Sequence, residues 1–237
     1  MPIPYINPDP RHRSASIVGW WKMEDDGAST TVTDDKGSND GTADRNTNLL
    51  SAVGKIGDAL TFNGTTDWID FGTAAALLPS NMSVSFWVKT DNTGGADIVC
   101  GWNEYYFISL QADQINLFRA VSAGTKNECH FTATGVKNGS WHHVLMVIPN
   151  TTTQGSVADV RCWMDGKELT QSSEQHDAAA VSFLRFTAGD SIEDDDSGPV
   201  GTFPLDGALD DLRLYNALLH MSACRWLYNR GSGQSVV

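Results

Sequence analysis

Apolar positions along this chain recur mostly every second residue, in short runs separated by polar turns. In MSVSFWVKT, Val84, Phe86 and Val88 alternate with Ser83, Ser85 and Trp87, the period of a strand with two distinct faces. Further runs are IVGWWKM from Ile17 to Met23, ADIVCGW, EYYFISL, QINLFRAV, HHVLMVIP, RCWMDGKEL and AVSFLRFTAG. Asn63-Gly64 and Asp165-Gly166 supply hairpin-turn pairs, and polar, turn-forming segments separate the rest. About a dozen short strands with no internal repeat predict an all-β, two-sheet antiparallel sandwich.

One stretch departs from this rhythm. Between Phe203 and Gly231, Leu209, Leu212 and Leu214 are spaced like one buried strand face. A strict two-residue period would instead group Asp210 with Leu212 and Leu214, so the pattern slips at the Asp210-Asp211 pair. Beyond it the period lengthens: Leu219, Ser222 or Ala223, Trp226, Leu227 and Arg230 recur at helical spacing, and Gly231 offers a positive-φ stop. The spacing predicts one short C-terminal helix over 218–230.

These segments resemble the laminin-G-like, concanavalin A-like jelly-roll family. The resemblance is carried by Trp21-Lys22-Met23-Glu24-Asp25 and Asp34-Asp35-Lys36-Gly37 near the start, and by Gly54-Lys55-Ile56-Gly57 leading to Phe62, Gly64 and Asp67. Gly139-Ser140-Trp141-His142-His143-Val144 is similar to the family's Gly-x-Trp-His-His-Val strand. Asp206-Gly207 and the run Leu209 to Leu218, with Leu227-Tyr228, match its closing strand and helix. The match covers about residues 17–231 in family order. It implies a jelly roll over 16–231, preceded by a Pro-rich arm (1–15) and followed by a tail (232–237).

Composition narrows the function classes. Of 237 residues, 41% are hydrophobic and eight are Trp, enough for a large core. Sixteen basic against 29 acidic residues give a net charge of −13, which argues against a nucleic-acid partner. Cys100, Cys129, Cys162 and Cys224 are scattered without a Cys-x-x-Cys pair, so a zinc ribbon is excluded. Cys162 alternates with Val160 and Met164 and reads as a buried thiol, and four reduced cysteines are expected. No apolar run reaches the length of a membrane span, and the N-terminus lacks the apolar segment of a secretory signal.

Candidate chemistry is sparse. His142 and His143 are adjacent, and strand neighbours point to opposite faces, so they cannot chelate one ion. There is no Gly-x-Ser-x-Gly elbow, and the Glu-x-Asp-x-x-Glu of laminarinases with this fold is absent. Glu193 to Asp196 reads as an acidic loop. An enzyme is therefore not expected, and a polysaccharide-degrading enzyme of the same fold is the remoter alternative. The resemblance implies a structural calcium ion bridging the first and last strands, with Glu24, Asp34, Asp210 and Asp211 as candidate ligands. Trp102 and Tyr105 are candidate rings for stacking a sugar, with Trp87 and Trp163 behind them; the competing role for each Trp is core packing.

The expected function is a recognition or assembly module. Family domains mostly act outside cells, while this chain starts with Met and shows no export signal. A virion-surface subunit, such as a phage capsid decoration or fibre-associated protein, reconciles the two. Ile3, Tyr5 and Ile6 would anchor the arm on a neighbouring subunit or a second copy. The alternative is a lectin-like, carbohydrate-binding module of a secreted or cell-surface protein.

Overall fold

The computed structural model describes residues 16–103, 106–122, 125–149, 157–176, 185–192, 198–229 and 232–233. In chain order the strands are β1 (Ile17–Trp21), β2 (Thr31–Val32), β3 (Gly41–Ala43), β4 (Ser51–Val53), β5 (Asp58–Asn63), β6 (Ile69–Asp70), β7 (Met82–Lys89), β8 (Ala96–Asn103) and β9 (Tyr106–Gln111). They continue with β10 (Gln114–Ser122), β11 (Thr125–Thr132), β12 (His142–Ile148), β13 (Arg161–Met164), β14 (Lys167–Glu168), β15 (Gln171–His176), β16 (Thr187–Ala188) and β17 (Asp206–Tyr215), before one helix, α1 (Met221–Tyr228). They form two sheets. The first has the order β14-β13-β12-β7-β17-β5-β4, with β1 beside the second half of β17; the second runs β15-β11-β10-β9-β8-β16-β6-β3-β2. Neighbours pair antiparallel, and the predicted jelly-roll sandwich is the fold observed.

The core lies between the sheets. Val84, Phe86 and Val88 of β7 face inward with Ile108, Leu110, Ile115 and Leu117 of β9 and β10, all buried. Trp21, Phe71 and Phe186 pack as one ring cluster, Trp21 lying 4.1 Å from Phe71 between centroids. Each such side chain contributes roughly 1.5–3 kcal/mol on leaving water. All four cysteines are buried and unpaired, with Cys162 in this core as expected.

The other face of β7 is also buried. Helix α1 lies over the outer face of the first sheet, packing Ala223, Cys224 and Leu227 on Leu145, Val147 and Trp163. Ser83 Oγ donates to Ala217 O at 2.7 Å and accepts from Leu219 N at 3.0 Å, which ties the lead-in of the helix to β7. The helix is shorter than predicted because its lead-in is pinned in this way. Asn229, at φ 45°, ends it; Asn tolerates the left-handed conformation through its short polar side chain. Gly231, expected to end the helix, lies outside the described residues, as do Ile3, Tyr5, Ile6 and the acidic loop 193–196.

The slip in the pattern at Asp210-Asp211 is a β-bulge. Register with β7 jumps between Asp210 and Arg213, and Asp211 takes φ 52°. The inserted residue inverts the parity of the strand, so Leu209, Leu212 and Leu214 all reach the core despite their uneven spacing. Asp210 and Arg213, on the opposite side, are also fully buried.

Candidate functional site

The second sheet has no helix over its outer face among the described residues, and that face carries a groove of roughly 490 Å³. Strand parity explains its lining. On β9, Tyr106, Ile108 and Leu110 point into the core, which leaves Phe107 and Ser109 outward; on β10, Asn116 and Phe118 are the outward partners of Ile115 and Leu117. Cross-strand register then sorts the outward side chains into two rows. One row is Ser109, Asn116 and His130; the other is Phe107, Phe118 and Glu128. The Phe107 and Phe118 rings stack 5.1 Å apart at 13°. His130 Nδ1–H donates to Asn116 Oδ1 at 2.8 Å, and His130 Nε2 lies 3.6 Å from Glu128. The far wall is the segment ending at Phe203, whose carbonyl accepts from Ile98 N at 2.8 Å and whose ring is 44% exposed. An aromatic platform flanked by an amide, an imidazole and a carboxylate suits a ligand with one apolar face and many hydroxyls.

Trp102, expected to hold a sugar, does not form this surface. Trp102 is fully buried, and its indole N–H donates to Leu77 O at 2.9 Å. It packs on Tyr106 and Phe186 and so is a core residue. Tyr105 lies outside the described residues. Trp87 and Trp163 are buried beneath α1. Phe107 and Phe118 were missed, although each stands on the polar parity of its strand, a signal the sequence carries. A smaller groove of roughly 300 Å³ borders Trp141, Lys89, Asp91 and Asp206 on the first sheet.

The carboxylates form a separate cleft of roughly 80 Å³, lined by Trp20, Lys22, Glu24, Ile56, Asp210 and Asp211. Asp210 Oδ2 accepts from Lys55 N and Ile56 N at 2.7 and 2.8 Å, whereas its buried Oδ1 has no hydrogen-bond partner. Burial, with Asp211 and Glu24 nearby, pushes the Asp210 carboxyl up to about 7, against the pull of the two amides. Gly54 and Gly57 make room here: a Cβ on Gly57 would stand 2.4 Å from Glu24 Oε1, and one on Gly54 2.8 Å from Asp210 Oδ2. Asp211 is already engaged. Its Oδ1 accepts from Trp20 Nε1 at 2.6 Å and from Arg213 Nε and Nη2 at 3.0 and 2.9 Å. Asp34 stands apart and serves a turn, accepting from Trp20 N, Lys36 N and Asn39 N. Of the four expected ligands, Glu24 and Asp210 have carboxylate oxygens suited to a hard cation. Among the described residues no group of three or more His, Cys, Asp or Glu is set to hold a metal ion.

The adjacent histidines part as a strand requires. His142 Nδ1 meets Asp165 Oδ2 at 2.8 Å, while His143 Nε2 meets Ser85 Oγ at 3.0 Å. Burial lowers His143 to about 3 and keeps it neutral.

The family model described as the concanavalin A-like lectin/glucanases superfamily matches residues 63–223. No curated protein matches the chain in sequence. Several solved structures share its fold. Trypanosoma rangeli sialidase in complex with the inhibitor DANA has a TM-score of 0.61 at 14% identity, over 92% of this chain and 34% of that one. The binding domain of Paraclostridial Mosquitocidal Protein 1 scores 0.63 at 15% identity, over 91% of this chain and 52% of that one. Domain 4 of AbnA, a GH43 extracellular arabinanase from Geobacillus stearothermophilus, in complex with arabinotriose, scores 0.56 at 20% identity, over 92% and 98%. The chain thus spans about a third of the sialidase and about half of the mosquitocidal binding domain. These matches correct the expectation that the chain is not an enzyme. Its fold recurs within sialidases and within an arabinanase. No helix among the described residues is long and apolar enough to cross a membrane.

Proposed function

This chain belongs to the concanavalin A-like lectin/glucanases superfamily, and from that starting point we propose that it binds glycans in the groove on its second sheet. The observation that carries this reading is the stacked Phe107–Phe118 pair on an outward strand face, beside Asn116, His130 and Glu128. Two half-buried rings side by side, with Phe203 exposed on the facing wall, make an apolar patch of the kind that marks a binding site. The C–H face of a sugar ring would cover them, while its hydroxyls meet the polar row. The arabinotriose held by the arabinanase domain of similar fold supports the same reading. A glycan array probed with the full chain, followed by titration of the best ligand, tests it. Saturable binding of an oligosaccharide is expected, and an array without a single saturable ligand would refute it. A place in a virion draws no support from the fold or the groove, and the arm that would serve assembly lies outside the described residues.

A calcium ion at the acidic cleft is a second element of the proposal. Glu24 and Asp210 would hold it, and the unpartnered Asp210 Oδ1 is the atom that asks for one. Because Asp210 is raised to about 7 in the fold, its proton is retained between the unfolded value near 4 and pH 7. Its stabilising contribution is therefore full in acid and lost as pH rises through 7. Asp210→Asn keeps acceptors for the Lys55 and Ile56 amides and removes the charge. Without metal, the variant should gain on the wild type between pH 4 and 7 and hold that gain above it. The gain should be about 1–3 kcal/mol, read as about 2–4 °C in Tm per kcal/mol. Calcium should raise the wild-type Tm at pH 8 and leave the variant unmoved. Equal calcium responses in both proteins would exclude the site.

A further inference from the structure

We propose that the groove selects uncharged oligosaccharides, and that Glu128 is the residue that turns carboxylated glycans away. The inference rests on the glycan reading above. Glu128 stands directly across from Phe118 in the β10–β11 register, its side chain 19% exposed. Any sugar resting on the Phe118 ring therefore lies against this carboxylate. None of the described residues lining the groove is Lys or Arg, the side chains that recognise carboxylates. His130 does not replace them. Its Nδ1 is spent on Asn116 Oδ1, and its Nε2 faces Glu128 at 3.6 Å, so a protonated imidazole is already balanced by that carboxylate.

A carboxylated sugar would place a second negative charge beside Glu128, in a partly desolvated groove on a chain of net charge −13. Like charges at such range repel, and the low local dielectric strengthens the effect. A neutral sugar meets matched partners instead. One hydroxyl would donate to Glu128, and another would accept from Asn116 Nδ2–H, which takes no part in the His130 bond. The rows cross β9, β10 and β11, about 10 Å at ordinary strand spacing, so an oligosaccharide fits the surface better than a single ring.

The test uses the full chain on an array of matched pairs that differ by a carboxylate: galactan against galacturonan oligomers, and asialo against sialylated lactosamines. The wild type should bind neutral members at least tenfold more tightly than their acidic partners. Glu128→Gln, which keeps the shape and one acceptor oxygen but removes the charge, should narrow that gap by gaining acidic ligands, read as the ratio of acidic to neutral affinity within each pair. Preference of the wild type for the acidic members, or a gap of the same size in E128Q, would overturn the assignment while leaving glycan binding intact. Failure of the wild type to bind either series, on an array without a single saturable ligand, would overturn glycan binding itself, and the role of Glu128 with it.

Discussion

Replacing Asp211 with alanine should destabilise the domain by about 3–5 kcal/mol, the usual cost of leaving a buried partner charge uncompensated. Three donors converge on Asp211 Oδ1: the Trp20 indole and two nitrogens of Arg213. Arg213 is fully buried, 4.5 Å from the Trp20 ring centroid and beside Tyr215, so removing the Asp211 carboxylate takes the counter-charge from a guanidinium held away from water. Backbone conformation adds to the cost. Asp211 sits at φ 52° in the bulge, which Asp tolerates better than Ala does. Asp211→Asn separates these contributions, because it keeps the acceptor and the left-handed tolerance but removes the negative charge. Chemical denaturation should rank wild type above D211N and D211N above D211A, with the Tm of D211A lower by on the order of 10 °C. Both variants within 1 kcal/mol of wild type would mean that Arg213 does not depend on Asp211.

Phe118→Ala should cost about 2 kcal/mol of glycan affinity, roughly thirtyfold in Kd, as truncating a central aromatic anchor commonly does. It removes one ring and leaves Phe107 without its stacking partner. Phe118 is only half-buried and on the outer face, so the fold should survive with a modest loss of Tm. Phe203→Ala, on the opposite wall, should weaken binding less because that residue is the more exposed. Titration calorimetry with the best array ligand reads both. A Phe118→Ala protein that binds as tightly as wild type would place the ligand elsewhere.

The fold was legible because strand periodicity and turn chemistry agreed along the chain. The slip in the pattern at Asp210-Asp211 also marked a real bulge. What the pattern did not convey was which of two strand faces meets water. Ser83, Ser85 and Trp87 alternate with the core residues of β7, yet the pattern gave no sign that α1 turns their side into a second interior. The candidate site was read less well for a related reason. Trp102 drew attention as a large ring, but its N–H finds a backbone carbonyl in the core. Phe107 and Phe118 were not singled out, although their parity set them with Ser109 and Asn116. Counting carboxylates also gave no sign of which lone pairs were taken. Asp34 spends its oxygens on three backbone N–H groups, whereas Asp210 keeps one free.

Glycan binding on the second sheet is tested most directly by amide chemical-shift mapping of the labelled chain during titration with the best array ligand. Saturable shifts should cluster on β9, β10 and β11, around residues 107–109, 116–118 and 128–130, and at Phe203. Shifts confined to the Trp141 groove or to the helix face, with β9 to β11 unmoved, would contradict it.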